Sequence, residues 1–386
     1  MEVQRLNARD TQPIAAPLVA KARLGSHPRI GYAPYSATLM PPGDRRRFVS
    51  YASKRGLPFE IADPKEKYDL VILSELADIS VWPDYPHGKM VYDLIDSYLS
   101  VPRTKWKQLL RGPAWYLAGR NRRFQIDFLS GIQNICRRSD AVVCSATEQR
   151  KAIEEFCGNV HVILDFQAMV VGEAKSDYAA HSPFRLGWEG LPSNLTQLVQ
   201  IAPVLGAMVS RDVILHVVTD SVRARLNGIL GTVDSREFLS RHFSEYVFHD
   251  WDEATCSGIV TSCDLAVIPI DLDDPLVRGK SVNKLLLLWR MGLPVVAAAT
   301  PAYREAMTEV GTPELACVNN AEWISAIERM MSDEDIRRDS AERGRKYAET
   351  VYGSDAILAR WDSMFASIGF SFDTQSDQAA AQAAIL

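Results

Sequence analysis

The chain has 386 residues, of which 47% are hydrophobic and 24% charged, with a formal net charge of −5. These values are typical of a globular protein long enough for two domains, and they argue against a general nucleic-acid-binding protein. No stretch reaches the roughly 20 uncharged residues that a membrane span requires. The cysteines show neither a C-x-x-C pair nor a histidine at metal-ligand spacing, so we expect buried thiols and a cytoplasmic protein. They are Cys136, Cys144, Cys157, Cys256, Cys263 and Cys317.

The first half of the chain alternates between apolar strands and helical stretches. Residues 1–26 are polar and without pattern, so we expect a flexible tail there. The alternation predicts a domain with a parallel sheet over residues 27–171. Gly43 and Asp44 are expected to cap a basic helix over about 45–54. The expected strands are 29–33, 68–73, 89–95, 140–145 and 160–164.

A polar stretch at about 172–183 predicts a domain boundary, after which the alternation begins again over residues 172–353. A C-terminal helix over 354–370 is expected to pack back towards the N-terminal domain, and 371–386 to be a flexible tail. Expected strands are 184–188, 213–219, 246–248 and 264–269, and expected helices are 194–208, 253–262, 321–331 and 333–350. The predicted fold class is α/β, with two Rossmann-like domains facing a central cleft.

The segment 278–298 has a polar helix start, an apolar helix body, a glycine stop and a buried strand. Ser281 or Val282 can begin the helix, whose first backbone N–H groups would attract an anion such as a diphosphate. Gly292 is expected to end the helix in a left-handed conformation. The alternative is an ordinary capped helix with solvated cations. The candidate diphosphate-binding residues are Arg278, Lys280, Ser281, Asn283 and Lys284.

This segment resembles the donor-binding helix of GT-B glycosyltransferases, in particular the large retaining family four, which carries a Ser-Pro-Asn-Lys-Leu run followed by Gly-x-Pro-Val-Val. Weaker matches lie at 140–148, 186–190 and 264–269, and the resemblance covers roughly residues 29–368. It implies a hexosyltransferase of polysaccharide biosynthesis that uses a UDP- or GDP-sugar donor. The acceptor would be a glycan or a lipid-linked sugar, and the transfer would proceed with retention, without a metal ion and without a cofactor.

Three positions depart from the pattern of this family. Gly279 and Leu287 stand where family four carries two glutamates, and Ile95 stands where its histidine precedes an aspartate. The losses leave an alternative open, a catalytically silent GT-B scaffold that binds a partner glycosyltransferase or a glycan. A sugar-nucleotide 2-epimerase of the same fold would need acid and base groups in the cleft that the sequence does not place.

Catalytic and donor-binding candidates also lie in the first half of the chain. Asp93 and Asp96 follow an apolar strand, where a carboxylate could contact sugar hydroxyls or stabilise an oxocarbenium ion, so both are candidate catalytic residues. A helix cap or a salt bridge is the alternative for each. Gly43, Arg45 and Arg46 match the family's first N-domain loop and are expected to bind the donor. The alternative there is a cap followed by a solvated helix face.

In the second half, Gly190 follows the strand that resembles the first donor-domain strand, and Trp251 lies where the family holds the nucleobase. Both are therefore donor-binding candidates, with a core position as the alternative for Trp251. The Asp271–Asp274 stretch contains a D-x-D sequence, but it follows a second-domain strand and precedes the cationic helix start. We therefore expect no metal site.

Residues 103–123 contain seven basic residues and no acidic one, with Trp106, Trp115 and Tyr116 interleaved. Such a stretch could lie on the anionic inner face of a membrane as a peripheral contact. The alternative is a helix at the rim of the cleft with solvated charges. We expect no nucleic acid as a partner in either case.

Overall fold

The computed structural model describes residues 28–100, 106–224 and 232–372. The tail predicted at 1–26 and most of that at 371–386 lie outside the described residues. The described residues form two compact units, one of residues 28–166 together with 354–372, and one of residues 167–353. In the described ranges, no helix combines the length and the apolar character needed to cross a membrane.

The first unit is built on a parallel sheet of buried strands. Its strands are β1 (Ile30–Ala33), β2 (Glu60–Ile61), β3 (Leu70–Ser74), β4 (Lys89–Asp93), β5 (Ala141–Cys144) and β6 (Val160–Val162). They lie in the order β2-β1-β3-β4-β5-β6. Every residue of β1, β3 and β5 is buried, as expected for strands covered by helices on both faces. The apolar runs of the sequence therefore predicted these strands correctly, while the short edge strand β2 was not predicted.

Helices connect the strands of this sheet. They are α1 (Pro42–Arg45), α2 (Phe48–Arg55), α3 (Trp106–Leu117), α4 (Phe128–Arg138) and α5 (Thr147–Ile153). The single helix expected over 45–54 is wrong, because two helices stand there and Arg47 is the N-cap residue of the second. Asp44 is not an N-cap either. Its carboxylate is buried and accepts hydrogen bonds from residues before α1.

The second unit repeats this architecture. Its strands are β7 (Phe184–Glu189), β8 (Val213–Thr219), β9 (Val222–Ala224), β10 (Thr232–Asp234), β11 (Val247–Asp250), β12 (Leu265–Ile268), β13 (Val295–Ala298) and β14 (Ala316–Cys317). Six of them form a parallel sheet in the order β11-β8-β7-β12-β13-β14, and β9 and β10 form a separate antiparallel pair. The sequence did not predict β9, β10 or β14, which are only two or three residues long.

Helices flank the second sheet as well. They are α6 (Leu195–Leu198), α7 (Ala202–Ala207), α8 (Ser235–Ser240), α9 (Glu253–Thr261), α10 (Pro275–Arg278), α11 (Asn283–Arg290), α12 (Pro301–Glu309), α13 (Asn320–Ser332) and α14 (Glu334–Thr350). The continuous helix expected over 194–208 is wrong. Pro203, in the first turn of α7, has no N–H to continue the ladder, and a 3₁₀ turn at Val199–Ile201 interrupts the helix before it. All six cysteines are buried thiols, as the sequence predicted, and none of them forms a disulfide.

The last helix, α15 (Ser354–Ser367), belongs to the first unit. Its Trp361 ring stacks on Tyr51 at 5.6 Å, and its Phe365 lies 5.1 Å from the same ring. Asp362 accepts a hydrogen bond from the Tyr51 hydroxyl at 2.8 Å and pairs with Arg55. These contacts bury the aromatic side chains of α2 and α15 against each other. The helix α15 is therefore part of the hydrophobic core of the first unit.

We predict that Arg290→Met destabilises the second unit. The buried Arg290 guanidinium donates to the carbonyl oxygens of Ala348 and Tyr352, both at 2.6 Å, and so satisfies acceptors at the end of α14. Methionine keeps most of the volume but leaves these acceptors unpaired, at a cost of about 2 kcal/mol or more in the free energy of unfolding. Urea unfolding measures the change. The exposed Arg304 provides the control variant Arg304→Met, and equal losses in both variants would contradict the assignment.

Candidate functional site

A buried ion cluster lies at the carboxyl ends of β4 and β6. The guanidinium of Arg47 is fully buried and donates to both carboxylate oxygens of Asp93, each at 2.6 Å, and to Asp165 at 2.9 Å. Burial acts to lower the pKa of Arg47, but the two carboxylates outweigh it and raise that pKa. Burial also raises the pKa of Asp93, against the opposing charge of Arg47. Both carboxylate oxygens of Asp93 are therefore bound by Arg47 in the protein interior.

Asp96, the second catalytic candidate, differs from Asp93 because it is exposed. Its backbone is nevertheless held on both sides. The Asp96 N–H donates to Glu75 at 2.6 Å, and the Asp96 carbonyl accepts from the side chain of Gln149 at 2.9 Å. The preceding carbonyl, that of Ile95, accepts from the Ser145 hydroxyl at 2.8 Å. A carboxylate thus projects into solvent from a fixed loop at the carboxyl end of β4, where parallel sheets carry functional groups.

Glu75, which sequence reasoning missed, lies beneath this loop. It follows the last residue of β3, is buried, and accepts hydrogen bonds from the Asp96 N–H and from the Tyr98 hydroxyl at 3.1 Å. Burial, with a smaller contribution from the charge of Asp96, raises the pKa of Glu75 to about 8. Its position directly after a fully apolar strand was the available signal, since a carboxylate there must lie at the functional edge of the sheet.

The donor-binding candidates of the first unit lie in and after α1. A Cβ atom on Gly43 would stand 2.5 Å from the ring of Tyr35, so the ring packs directly on the glycine. Arg45 is buried and Arg46 is half-buried, and the Arg46 carbonyl accepts from the N–H of Phe166 at 2.7 Å. Sequence reasoning selected these two arginines and passed over Arg47, whose partners lie 46 and 118 residues away in the chain.

The turn around Asp44 is stabilised by its own carboxylate. Asp44 accepts hydrogen bonds from the Tyr32 hydroxyl at 2.7 Å, the Tyr35 N–H at 2.8 Å and the Ser36 N–H at 3.2 Å. Burial raises its pKa, although these three donors oppose the shift. The carboxylate therefore fixes the segment after β1 rather than the start of a helix.

In the second unit, the start of α11 lies at the carboxyl edge of the sheet. Val282 is the N-cap residue, and Asn283 and Lys284 occupy the first turn, as predicted. The ammonium group of Lys284 forms an ion pair with Glu189, the last residue of β7. Gln167 donates from its side chain to the Asn283 carbonyl at 2.6 Å. Gly292, at φ +72°, ends the helix in the left-handed conformation that the sequence predicted.

A second cation lies beside this helix start. The Lys280 ammonium donates to the side-chain oxygen of Asn194 at 3.0 Å, in the segment that follows β7. Arg278 is exposed at the end of α10, and Ser281 is half-buried. The structure thus brings Lys280, Lys284 and the first turn of α11 together against the end of β7. Cations and helix-end amides in this arrangement suit a bound anion.

The remaining candidates of this unit lie along the same edge. Gly190 directly follows β7 and donates to the Val218 carbonyl at 3.2 Å, and Trp251 directly follows β11 and donates to the Thr219 carbonyl at 3.1 Å. Trp251 is half-buried and is therefore not a core residue, which was the alternative for this position. Because β8 separates β11 from β7, the two positions are about 10 Å apart in the hydrogen-bonding direction.

In the acidic stretch before α10, two carboxylates accept hydrogen bonds from nearby backbone N–H groups. Asp271 accepts from the N–H of Asp273 at 3.0 Å, and Asp274 is the N-cap residue of α10 and accepts from the Leu276 N–H at 3.1 Å. Among the residues that the structure describes, no group of three or more His, Cys, Asp or Glu side chains could hold a metal ion.

We predict that Glu75→Gln alters the pH dependence of stability. A carboxyl group whose pKa is higher in the folded chain holds its proton more tightly there, so stability is lost as pH rises from about 4.5, where the unfolded group ionises, through about 8. Glutamine removes this loss while keeping an acceptor oxygen. The melting temperature of the variant, relative to the wild type, should therefore increase between about pH 5 and about pH 8.

The exposed Glu155 provides the matched control, Glu155→Gln, in the same unit. Thermal unfolding followed by circular dichroism across this pH range measures all three proteins. If the two variants showed the same pH dependence relative to the wild type, the assignment of the shifted titration to Glu75 would be wrong.

No family model matches the chain, and no curated protein sequence does. Its fold is nevertheless similar to that of several solved structures. Anabaena HepE, solved with UDP and glucose, gives a TM-score of 0.56 at 13% identity, over 88% of this chain and 100% of HepE. A Thermobaculum terrenum O-GlcNAc transferase variant gives 0.52 at 14% identity, over 87% of this chain and 66% of that protein. TarM gives 0.51 at 11% identity over 77% of this chain, which spans about half (54%) of the length of TarM.

These likenesses confirm the predicted fold class, an α/β protein with two Rossmann-like domains of the GT-B type. Two six-stranded parallel sheets, each with helical crossovers, are the elements that the predicted fold class requires. At identities of 11 to 14% the likenesses concern the fold alone, and a fold of this kind is compatible with several functions.

Proposed function

We propose that this protein is a hexosyltransferase that takes a sugar from a UDP or GDP donor and transfers it to a glycan or a lipid-linked acceptor. Transfer with retention, independence of metal ions and a relation to family four are parts of the proposal. So are a cytoplasmic location and a peripheral contact with the membrane. Residues of the second unit would bind the donor, and Gly43, Arg45 and Arg46 of the first unit would contact it as well. The first unit would also contact the acceptor and the transferred sugar.

The observation that carries the proposal is the set of cations at the start of α11. Lys280 and Lys284 lie at the carboxyl edge of the second sheet, where open α/β sheets bind their ligands. Negative charge grows on the diphosphate as it leaves the sugar, so cations and helix-end amides stabilise the transition state more than the ground state. The same groups replace a metal ion in this role. HepE, which shares the fold, was solved with UDP and glucose.

Glu189 has a defined part in this half of the proposal. It pairs with Lys284 and keeps the ammonium group at the edge of the sheet. A bound diphosphate offers Lys284 more negative charge than one carboxylate does. We therefore infer that Lys284 turns from Glu189 to the diphosphate when the donor binds.

Asp96 is the catalytic group that the first unit supports best. Its carboxylate is exposed and its backbone is fixed by Glu75 and Gln149, whereas both oxygens of Asp93 are bound by Arg47. An ionised carboxylate held in a fixed position can stabilise the positive charge that develops on the sugar ring. Asp93 then has a positioning role at the base of the same loop.

We predict that Lys284→Met weakens the binding of UDP or GDP about tenfold or more, because one charge-assisted contact to the diphosphate is lost. Isothermal titration calorimetry measures the affinity. Lys346, exposed on α14 of the same unit, provides the control variant Lys346→Met, whose affinity should equal that of the wild type. If the wild type and the Lys284 variant had equal affinity, the proposal that the start of α11 binds the diphosphate would be wrong.

We predict that Asp96→Asn lowers kcat roughly a hundredfold and leaves the affinity for the nucleotide unchanged, because the carboxylate acts on the developing charge and not on the bound donor. Donor hydrolysis or transfer, with the nucleotide sugar that binds, measures the rate. The exposed Asp84 of the same unit provides the control variant Asp84→Asn. A rate unchanged by Asp96→Asn would exclude the catalytic role.

A catalytically silent scaffold is the second candidate function, and a specific observation favours it. Leu287, at one of the positions where family four carries a glutamate, is buried in the body of α11, and Gly279 at the other position has no side chain. Neither position can supply a carboxylate to a donor. Calorimetry with a panel of nucleotide sugars separates the two functions, because a scaffold would bind none of them.

A further inference from the structure

We propose that an apolar and arginine-rich patch at the end of α3 docks the protein onto an anionic lipid surface. The patch consists of Tyr116, Leu117, Arg120, Arg122, Arg123, Phe124 and Ile126. Docking would bring the first unit to a lipid-linked acceptor, and in that sense the inference rests on the proposed function. The attraction between the patch and a lipid surface is a separate physical property and is tested separately.

The first observation is the exposure of large apolar side chains that lie close together. Leu117 is 80% exposed, Ile126 66%, Phe124 57% and Tyr116 42%. Four of the eleven large apolar side chains that are exposed among the described residues thus fall within 116–126. Scattered exposed apolar residues need no explanation, but a cluster of this kind marks an interaction surface.

Two segments meet to form the patch. The rings of Tyr116 and Phe124 are in edge-to-face contact, with centroids 5.6 Å apart. A Cβ atom on Gly112 would stand 2.2 Å from the carbonyl oxygen of Gln125, so the segment around 125 lies directly on α3. Gly119, at φ +70°, provides the left-handed turn that reverses the chain between them. The apolar side chains therefore form one surface, and not two separate ones.

The charge of the patch identifies its partner. Arg120, Arg122 and Arg123 are exposed between the two apolar groups. Three carboxylates lie beside the arginines: Asp84 pairs with Arg123 at 2.9 Å, Asp78 accepts from the Arg122 N–H at 2.9 Å and Asp127 caps α4. Of these, only Asp84 forms an ion pair with a guanidinium group of the patch. Apolar side chains that enter the acyl boundary, with guanidinium groups beside them at the height of the phosphates, are the arrangement of an interfacial membrane contact.

The structure also corrects the set of residues that the sequence suggested for this contact. Trp115 is buried, with its ring 4.7 Å from that of Phe128, so it cannot reach a lipid surface. Residues 103 and 105 lie outside the described residues, as do the side chains of residues 106 and 107. Among the side chains that the structure describes, those of the docking surface lie at the end of α3, in the turn after it and in the segment up to Ile126.

Vesicle co-sedimentation tests the proposal. The wild type should bind vesicles that contain phosphatidylglycerol, should not bind vesicles of phosphatidylcholine alone, and should be released by salt. The variant Leu117→Ser/Phe124→Ser/Ile126→Ser should lose binding at least tenfold. The variant Arg120→Gln/Arg122→Gln/Arg123→Gln should bind more weakly than the wild type, and its remaining binding should no longer depend on salt. The exposed Ile61, in the same unit, provides the control Ile61→Ser, which should bind like the wild type.

Circular dichroism and calorimetry with UDP and GDP show that each variant is folded and whether the donor site is intact. If the proposed function were wrong, the wild type would bind neither UDP nor GDP, but it would still bind the anionic vesicles. Equal binding to both vesicle types, or no effect of the apolar substitutions, would overturn the docking proposal. A wild type that dimerises in solution, with the triple serine variant monomeric, would make the patch a protein interface and would overturn it as well.

Discussion

The buried pair between Arg47 and Asp93 is the constraint on which the first unit depends. An ionised guanidinium inside a protein costs several kcal/mol unless its donors are satisfied, and here Asp93 and Asp165 satisfy them. Together with Asp165, the pair joins the start of α2, the end of β4 and the segment after β6. Removal of Arg47 would leave the buried Asp93 carboxylate without its partner. The three segments are therefore held in one relation to each other, and the loop that carries Asp96 begins directly from this fixed point.

Each unit carries charged groups at the carboxyl edge of its own parallel sheet, but the accessible groups differ in the sign of their charge. In the first, the buried Arg47 binds Asp93 at the end of β4, and the exposed group of the loop that follows is the carboxylate of Asp96. In the second, Lys280 and Lys284 are partly accessible, and Lys284 pairs with Glu189 at the end of β7.

Local patterns in the sequence were sufficient for most of the elements. Runs such as 70–73 and 295–298 are apolar on both faces and predicted buried parallel strands, and Gly292 predicted the end of α11. Strands of two or three residues have no such pattern, which explains why β2 and β14 were missed. The ion cluster could not be predicted, because Arg47 is one of three consecutive arginines and nothing local distinguishes the one that turns inward. Glu75 and Asp44 depend in the same way on what the tertiary fold places around them.

The membership of α15 in the first unit has a practical consequence for dividing the protein. The chain passes from the first unit to the second after Phe166 and returns after Gly353. A fragment cut at the first of these points would lack Trp361 and Phe365 and would expose the aromatic face of α2 to water, with Tyr51 at its centre. Isolated expression of the amino-terminal half therefore calls for a genetic fusion that restores the last helix, whereas residues 167–353 form one continuous stretch that can be excised whole.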